Sequence, residues 1–133
     1  MAFRQVLFAL TLTATTMASV AAFEATFDFS NARACAGGAL RITPSPEFKL
    51  ADVPEGTAAL DFFLVDLTIG FDHGGRKIAY AGEPVIAADS FKYIGPCPDF
   101  GNTHTYEWTI RALDAADGEL GTAKAQDDFT GSR

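Results

Sequence analysis

The stretch from Tyr93 to Trp108, YIGPCPDFGNTHTYEW, begins as a loop and ends as a β-strand. Its Gly and Pro residues shape a rigid loop, and the run after them alternates polar and apolar side chains. The stretch holds one of the two histidines of the chain, His104, and the other lies in the Gly-rich sequence DHGG at residues 72–75. Because histidine changes charge near neutral pH, the two stretches together indicate a polar pocket.

Two segments predict strong strands. His104 to Leu113 has an apolar inner face that begins with polar groups, and its other face is polar, so it predicts a half-exposed strand. Ala59 to Leu67 is apolar on both faces and predicts a central strand in a sheet covered on both sides. Asp66 continues one of its apolar rows, and a buried carboxylate is costly unless it is paired. If the two strand ends meet, Asp66 and His104 share one cleft.

Weaker alternation predicts short strands at Glu24–Phe29, Ala39–Ile42, Arg76–Tyr80 and Glu83–Ile86. The last two flank Gly82 and are typical of a hairpin. Residues 119–124 predict a short strand or a helical turn, and residues 127–133 are expected to fray. The predicted elements include few or no long helices. Together they indicate a mainly β chain that forms an antiparallel β-sandwich.

The N-terminus has the features of a signal peptide. Arg4 supplies a positive charge, residues 6–20 form an uncharged apolar stretch, and the small residues before Phe23 suit a signal peptidase. We therefore expect residues 1–22 to be a signal peptide and residues 23–133 to be a single β-sandwich ligand-binding domain. The protein would be exported, periplasmic or secreted, with no membrane span after cleavage.

The charge balance limits the partners. The chain has 17 acidic and 10 basic residues, a formal net charge of −7. It therefore lacks the basic footprint that nucleic acid requires, and its field repels anionic lipid surfaces. A small anionic or zwitterionic ligand is the partner that we expect, with no cofactor.

Cys35 and Cys97 are the only cysteines of the chain. In an exported protein of this size they predict one disulfide, with two buried thiols as the alternative. No CxxC spacing is present, so the cysteines do not indicate a zinc site.

Several short sequences occur in an order that resembles the phosphatidylethanolamine-binding protein family, in its bacterial Raf kinase inhibitor-like branch. They extend over residues 38 to about 116 and comprise Ser45-Pro46-Glu47-Phe48, Val53-Pro54-Glu55-Gly56-Thr57, the strand that ends in Asp66, Asp72-His73-Gly74-Gly75, Tyr93-Ile94-Gly95-Pro96-Cys97-Pro98, Gly101 and His104-Thr105-Tyr106. The long connection usual in the family is absent, so the chain resembles a shortened member.

The resemblance implies a β-sandwich with a small pocket for phosphate-like groups at one end of the large sheet. Its lining would comprise Asp66, His73, Pro96, His104 and Tyr106, with the backbone of Gly95 and Cys97 near the ligand. We expect anion affinity to improve as the pH falls through the histidine pKa, since a protonated imidazole donates from both nitrogens.

A binding protein without enzymatic activity is the main prediction. An Asp66–His104 dyad could act as a general base, but no nucleophile motif accompanies it, since Gly-x-Ser-x-Gly is absent. A metal site built from His73, His104 and either Asp66 or Asp72 is an alternative. Another is a secreted β domain that acts through protein partners and keeps a vestigial pocket.

Overall fold

A computed structural model describes residues 22–32, 35 and 39–132. Residues 1–21, nearly all of the predicted signal peptide, lie outside the described residues. The strands are β1 (Glu24–Phe27), β2 (Ile42–Pro44), β3 (Phe48–Ala51), β4 (Ala59–Asp66), β5 (Phe71–Ala79), β6 (Val85–Ile86), β7 (Lys92–Ile94), β8 (Thr103–Leu113) and β9 (Glu119–Thr130). Across the described ranges there is no helix, and hence none long and apolar enough to cross a membrane.

The strands form three antiparallel sheets. The largest has the order β5-β4-β8-β9, the second has the order β1-β3-β6, and β2 pairs with β7. This arrangement confirms the predicted antiparallel β fold. The predicted hairpin around Gly82 is wrong, because β5 pairs with β4 whereas β6 pairs with β3. The Gly82 segment therefore connects two sheets rather than two neighbouring strands.

The core lies between the four-stranded and the three-stranded sheet and is rich in aromatic rings. The Phe48 ring of β3 lies 4.8 Å from the Phe62 ring of β4 and 5.3 Å from the Trp108 ring of β8, measured between centroids. All three side chains are at most 1% exposed. Each such side chain contributes a large apolar area, so these contacts hold the two sheets together.

The outer face of β4 is open to solvent, in contrast to the prediction of a strand covered on both sides. Phe63 is 41% exposed, while its neighbours Phe62 and Leu64 are buried. In the part of the chain that the structure describes, the second sheet covers only the Phe62 side. The apolar sequence of β4 therefore led to a prediction of too much burial, because β-branched and aromatic side chains also occur at exposed strand positions.

The C-terminal segment is ordered as a long strand, so the predicted fraying of residues 127–132 is wrong. β9 pairs with β8 from Glu119 to Thr130. Its inward positions carry small side chains, including Ala123 and Ala125, which are buried against the core. The Asp127 carboxylate accepts a hydrogen bond from the Phe29 amide at 3.1 Å, which fixes the end of the strand to the segment that follows β1.

Candidate functional site

The DHGG sequence forms a β-bulge rather than a turn. Leu64 pairs with Gly74 whereas Val65 pairs with Asp72, so His73 is an extra residue in β5. Gly74 has φ of +69°, a left-handed conformation that a residue with a Cβ adopts only at a cost. Bulges of this kind redirect a side chain, and this bulge directs the His73 imidazole into the protein.

The bulge buries His73 and fixes one of its ring nitrogens. The residue is 2% exposed, and its Nδ1 lies 2.8 Å from the carbonyl oxygen of Ile94. A carbonyl only accepts hydrogen bonds, so Nδ1 carries the hydrogen and Nε2 is left for another partner. Burial lowers the pKa of His73 below its ordinary value of 6.5, because desolvation disfavours the charged ring.

Asp66 ends β4 as a buried carboxylate with several hydrogen-bond donors. Its Oδ1 accepts the amide hydrogens of Thr68 at 2.9 Å and Ile69 at 3.3 Å, and its Oδ2 lies 2.6 Å from His104 Nδ1. Asp66 is 1% exposed. The prediction that the ends of the two strong strands bring Asp66 and His104 together is confirmed. The carboxylate also shapes the turn after β4, so its role is partly structural.

Tyr106 carries a buried polar group without a hydrogen-bond partner. It lies opposite Asp66 in the pairing of β4 with β8 and is fully buried. Its hydroxyl group makes no hydrogen bond of normal geometry to a described residue, although the Asp66 carboxylate and the Cys97 backbone lie close to it. Desolvation, and then the nearby charge of Asp66, raise the pKa of Tyr106, so the hydroxyl keeps its hydrogen and can donate it.

These side chains border a cavity of about 210 Å³ at one end of the large sheet. Asp66, His73 and Tyr106, which carry polar groups, are among the residues that line it. The remaining lining residues are apolar or sulfur-containing, and they are Leu40, Ile69, Phe71 and Cys97. The cavity is therefore mostly apolar and has room only for a ligand of a few atoms, next to three residues with polar side chains.

The structure brings together some of the predicted site residues and separates others. Asp66, His73, Cys97 and Tyr106 line the cavity, and His104 joins the group through its bond to Asp66. Gly95 and Pro96 instead line a different cavity of about 350 Å³. The predicted disulfide is present, since Cys35 and Cys97 are bonded with a Cα–Cα distance of 5.2 Å.

Three apolar lining residues were not among the predicted site residues. Leu40, Ile69 and Phe71 are 50%, 65% and 36% exposed. Ile69 and Phe71 follow Asp66 closely in sequence, so exposed apolar residues next to the turn were an available signal. Leu40 reaches the cavity only through the fold, and no local pattern indicates it.

The predicted metal alternative is not assembled in the described ranges. Within them, no three His, Cys, Asp or Glu side chains lie close enough together to hold a metal ion.

The buried His73 predicts a pH dependence of stability. Its pKa is lower in the folded protein than in the unfolded chain, so the unfolded chain binds more protons below about pH 6.5. Above this pH the neutral His73 ring does not destabilise the folded protein. As the pH falls below it, protonation favours the unfolded chain and the folded protein loses stability. We expect the free energy of unfolding to fall between about pH 7 and pH 5, and to fall less in His73→Asn. Urea denaturation across this range measures both slopes, and parallel curves would contradict the prediction.

The fold is similar to those of two solved proteins. YbcL of Escherichia coli, described as a new member of the mammalian PEBP family, matches with a TM-score of 0.50 and 18% identity over 65% of this chain and 80% of its own. CT736 of Chlamydia trachomatis, a candidate phosphatidylethanolamine-binding protein homolog, matches with a TM-score of 0.56 and 19% identity over 81% and 97%. No family model and no curated protein matches the chain. These likenesses confirm the predicted fold of the phosphatidylethanolamine-binding proteins.

Proposed function

We propose that this protein is exported and binds a small oxyanion, such as a phosphate-like group, sulfate or a carboxylate, in the cavity beside Asp66. The fold is that of ligand-binding proteins. The observation that carries the proposal is the buried Tyr106 hydroxyl, which makes no hydrogen bond of normal geometry to the described residues near it and belongs to a residue that lines the cavity. A buried hydroxyl without a partner is costly, and a ligand oxygen would accept its hydrogen.

His73 supplies a second group for the ligand. Its Nδ1 hydrogen is engaged by Ile94, so Nε2 can accept a hydrogen bond when the ring is neutral and donate one when it is charged. The charge of Asp66 opposes an anion, although its own hydrogen bonds to two amides and to His104 reduce this effect. Protonation of His73 adds the positive charge that favours binding.

Binding without chemistry is part of the proposal. Ser45 is 2% exposed and accepts the Phe91 amide at 3.3 Å, so its position suits packing rather than nucleophilic attack. The Ser90 hydroxyl donates to the Ala87 carbonyl at 2.6 Å. Export is supported by the disulfide, since such bonds persist in oxidising compartments.

Titration with sulfate by calorimetry tests the site. Sulfate keeps its charge over the useful pH range, so any change in affinity reports on the protein. We expect the affinity to rise from about pH 7.5 to about pH 5.5, by at most about tenfold per pH unit because one histidine takes up one proton. We expect Tyr106→Phe to bind about tenfold more weakly, since one hydrogen bond to a charged group is lost. Tyr80→Phe, at a distant tyrosine, is the control.

Two results would contradict this proposal. One is the absence of sulfate and phosphate binding at either pH. The other is binding that Tyr106→Phe and Tyr80→Phe leave equally unchanged, because the ligand would then lie elsewhere.

A further inference from the structure

Among the described residues, β9 (Glu119–Thr130) is an edge strand of the four-stranded sheet, since it pairs with β8 and no other described strand pairs with its second edge. It is 12 residues long, and no proline or register shift interrupts it after Gly121. Edge strands usually carry such interruptions, because their unpaired backbone groups can bind another strand. A long uninterrupted edge is therefore a surface suited to strand pairing.

The registers identify which backbone groups of β9 face outward. Leu67 N donates to Thr105 O at 2.8 Å, so the odd positions of β8 bond to β4 and the even positions bond to β9. Gly131 N donates to Asn102 O at 2.9 Å, which agrees with this alternation. The even positions of β8 lie opposite odd positions of β9. The amide and carbonyl groups at the even positions of β9 therefore face away from the sheet.

The outward-facing positions are exposed and carry a distinctive series of side chains. Among the described residues, no backbone–backbone hydrogen bond outside the regular pairings involves these positions, and one of their amides, that of Asp128, donates to the Asp127 carboxylate at 2.9 Å. In chain order the exposed residues are Thr122, Lys124, Gln126, Asp128 and Thr130. When this series is aligned with its own reverse, each threonine lies opposite a threonine and the lysine lies opposite the aspartate.

We propose that two copies of this chain pair through β9 in an antiparallel arrangement with the two-fold axis at Gln126. Each residue before Gln126 in one copy then lies opposite the residue that is equally far after Gln126 in the other copy. Lys124 of each copy lies opposite Asp128 of the other, and Thr122 lies opposite Thr130. Opposite charges and paired threonines stabilise neighbouring strands, and the two large sheets become one continuous sheet.

The charges select this register. With the axis at Lys124, two lysines face each other, and with the axis at Asp128, two aspartates do. Lys124 also bonds to Glu107 at 2.7 Å, and Asp128 accepts the Thr105 hydroxyl at 2.7 Å. An ammonium has three hydrogens and a carboxylate has several lone pairs, so both side chains retain capacity for the second copy.

Charge exchange tests the pairing in the full protein as the cell makes it. Sedimentation velocity over a range of concentrations measures the dimer dissociation constant. We expect Lys124→Asp or Asp128→Lys to weaken the dimer about tenfold or more, and the combined exchange to restore it. Lys77→Asp, on the opposite edge strand, is the control and should leave the constant unchanged.

Backbone and cross-linking variants test the same edge without relying on charge. Gln126→Pro removes an outward amide hydrogen and no backbone bond to β8, although it also removes the exposed side-chain bond from Gln126 to Glu107 at 2.7 Å. It should therefore abolish the dimer while the circular dichroism spectrum stays that of a folded β protein. In the proposed dimer the Cα atoms of the two residues at position 126 lie about 5.5 Å apart. Gln126→Cys therefore brings two thiols to a separation that suits a disulfide. It should give a covalent dimer on a non-reducing gel, and Lys77→Cys should not.

Three results would overturn the pairing. The first is a wild-type protein that remains a monomer at every concentration. The second is a dimer that Gln126→Pro leaves intact. The third is a double charge exchange that fails to restore what each single change removes.

Discussion

Asp66→Ala is expected to lower the free energy of unfolding by about 2 to 4 kcal/mol at neutral pH, because it removes a buried carboxylate that accepts three hydrogen bonds. The amides of Thr68 and Ile69 and the Nδ1 of His104 all lose their acceptor. Asp66 is 1% exposed, but Thr68 and Ile69 lie at the surface, so water can solvate their amides in part and limits the loss. Urea denaturation followed by circular dichroism measures the loss.

Two further variants separate the contributions to this loss. Asp66→Asn keeps an oxygen for the two amides but cannot accept from His104 if that oxygen faces the turn, so we expect a smaller loss than for alanine. Asp61→Ala is the matched control, since Asp61 lies on the same strand and pairs with Arg111 at the surface. A partly exposed ion pair of this kind contributes about 0 to 1 kcal/mol. Equal losses for Asp66→Ala and Asp61→Ala would contradict the structural role of Asp66.

The sequence predicted the Asp66–His104 contact because both residues extend an apolar row of a strong strand. A strand fixes which residues share a face, so a polar group at the end of each row can be assigned to the core side. The pairing of β4 with β8 then brings the two ends together. Period-two patterns thus predicted this part of the site well.

The placement of His73 could not be predicted in the same way. A bulge adds one residue to β5 and reverses the face on which later side chains lie, and this depends on the pairing with β4. Gly74 and Gly75 were visible in the sequence, but they suit a turn as well as a bulge. A Cβ at Gly75 would lie 1.8 Å from the Phe62 carbonyl oxygen, so tertiary contact rather than local propensity explains that glycine.

The order of β9 also depends on tertiary contact. Asp127 and Asp128 look like parts of a solvated tail, yet one bonds to the Phe29 amide and the other to the Thr105 hydroxyl. Their partners lie far away in sequence, so no local pattern indicates them. The Gly82 segment shows the same limit, because a glycine between two short strands does not reveal whether they belong to one sheet.

Replacing both cysteines, Cys35→Ser with Cys97→Ser, is expected to lower the free energy of unfolding by about 2 to 5 kcal/mol. The cysteines are 62 residues apart, and closing a loop of that length contributes about 4 kcal/mol in the chain-entropy model. A reductant should destabilise the wild type by a similar amount and leave the double variant unchanged. A double variant as stable as the oxidised wild type would contradict this expectation.

The same disulfide is expected to support the cavity, because it joins a residue of the wall to a residue that lies close in sequence to another part of the wall. Cys97 lines the cavity directly, while Cys35 precedes the segment that contains Leu40. On its other side that segment is held by the bond from the Gly95 amide to the Arg41 carbonyl at 2.9 Å. Without the disulfide, the described residues next to Leu40 are held by this bond and by the pairing of β2 with β7 that follows it. We therefore expect the folded double variant to bind sulfate more weakly than the wild type under conditions in which both are fully folded. Unchanged affinity would show that the disulfide stabilises the fold without shaping the cavity.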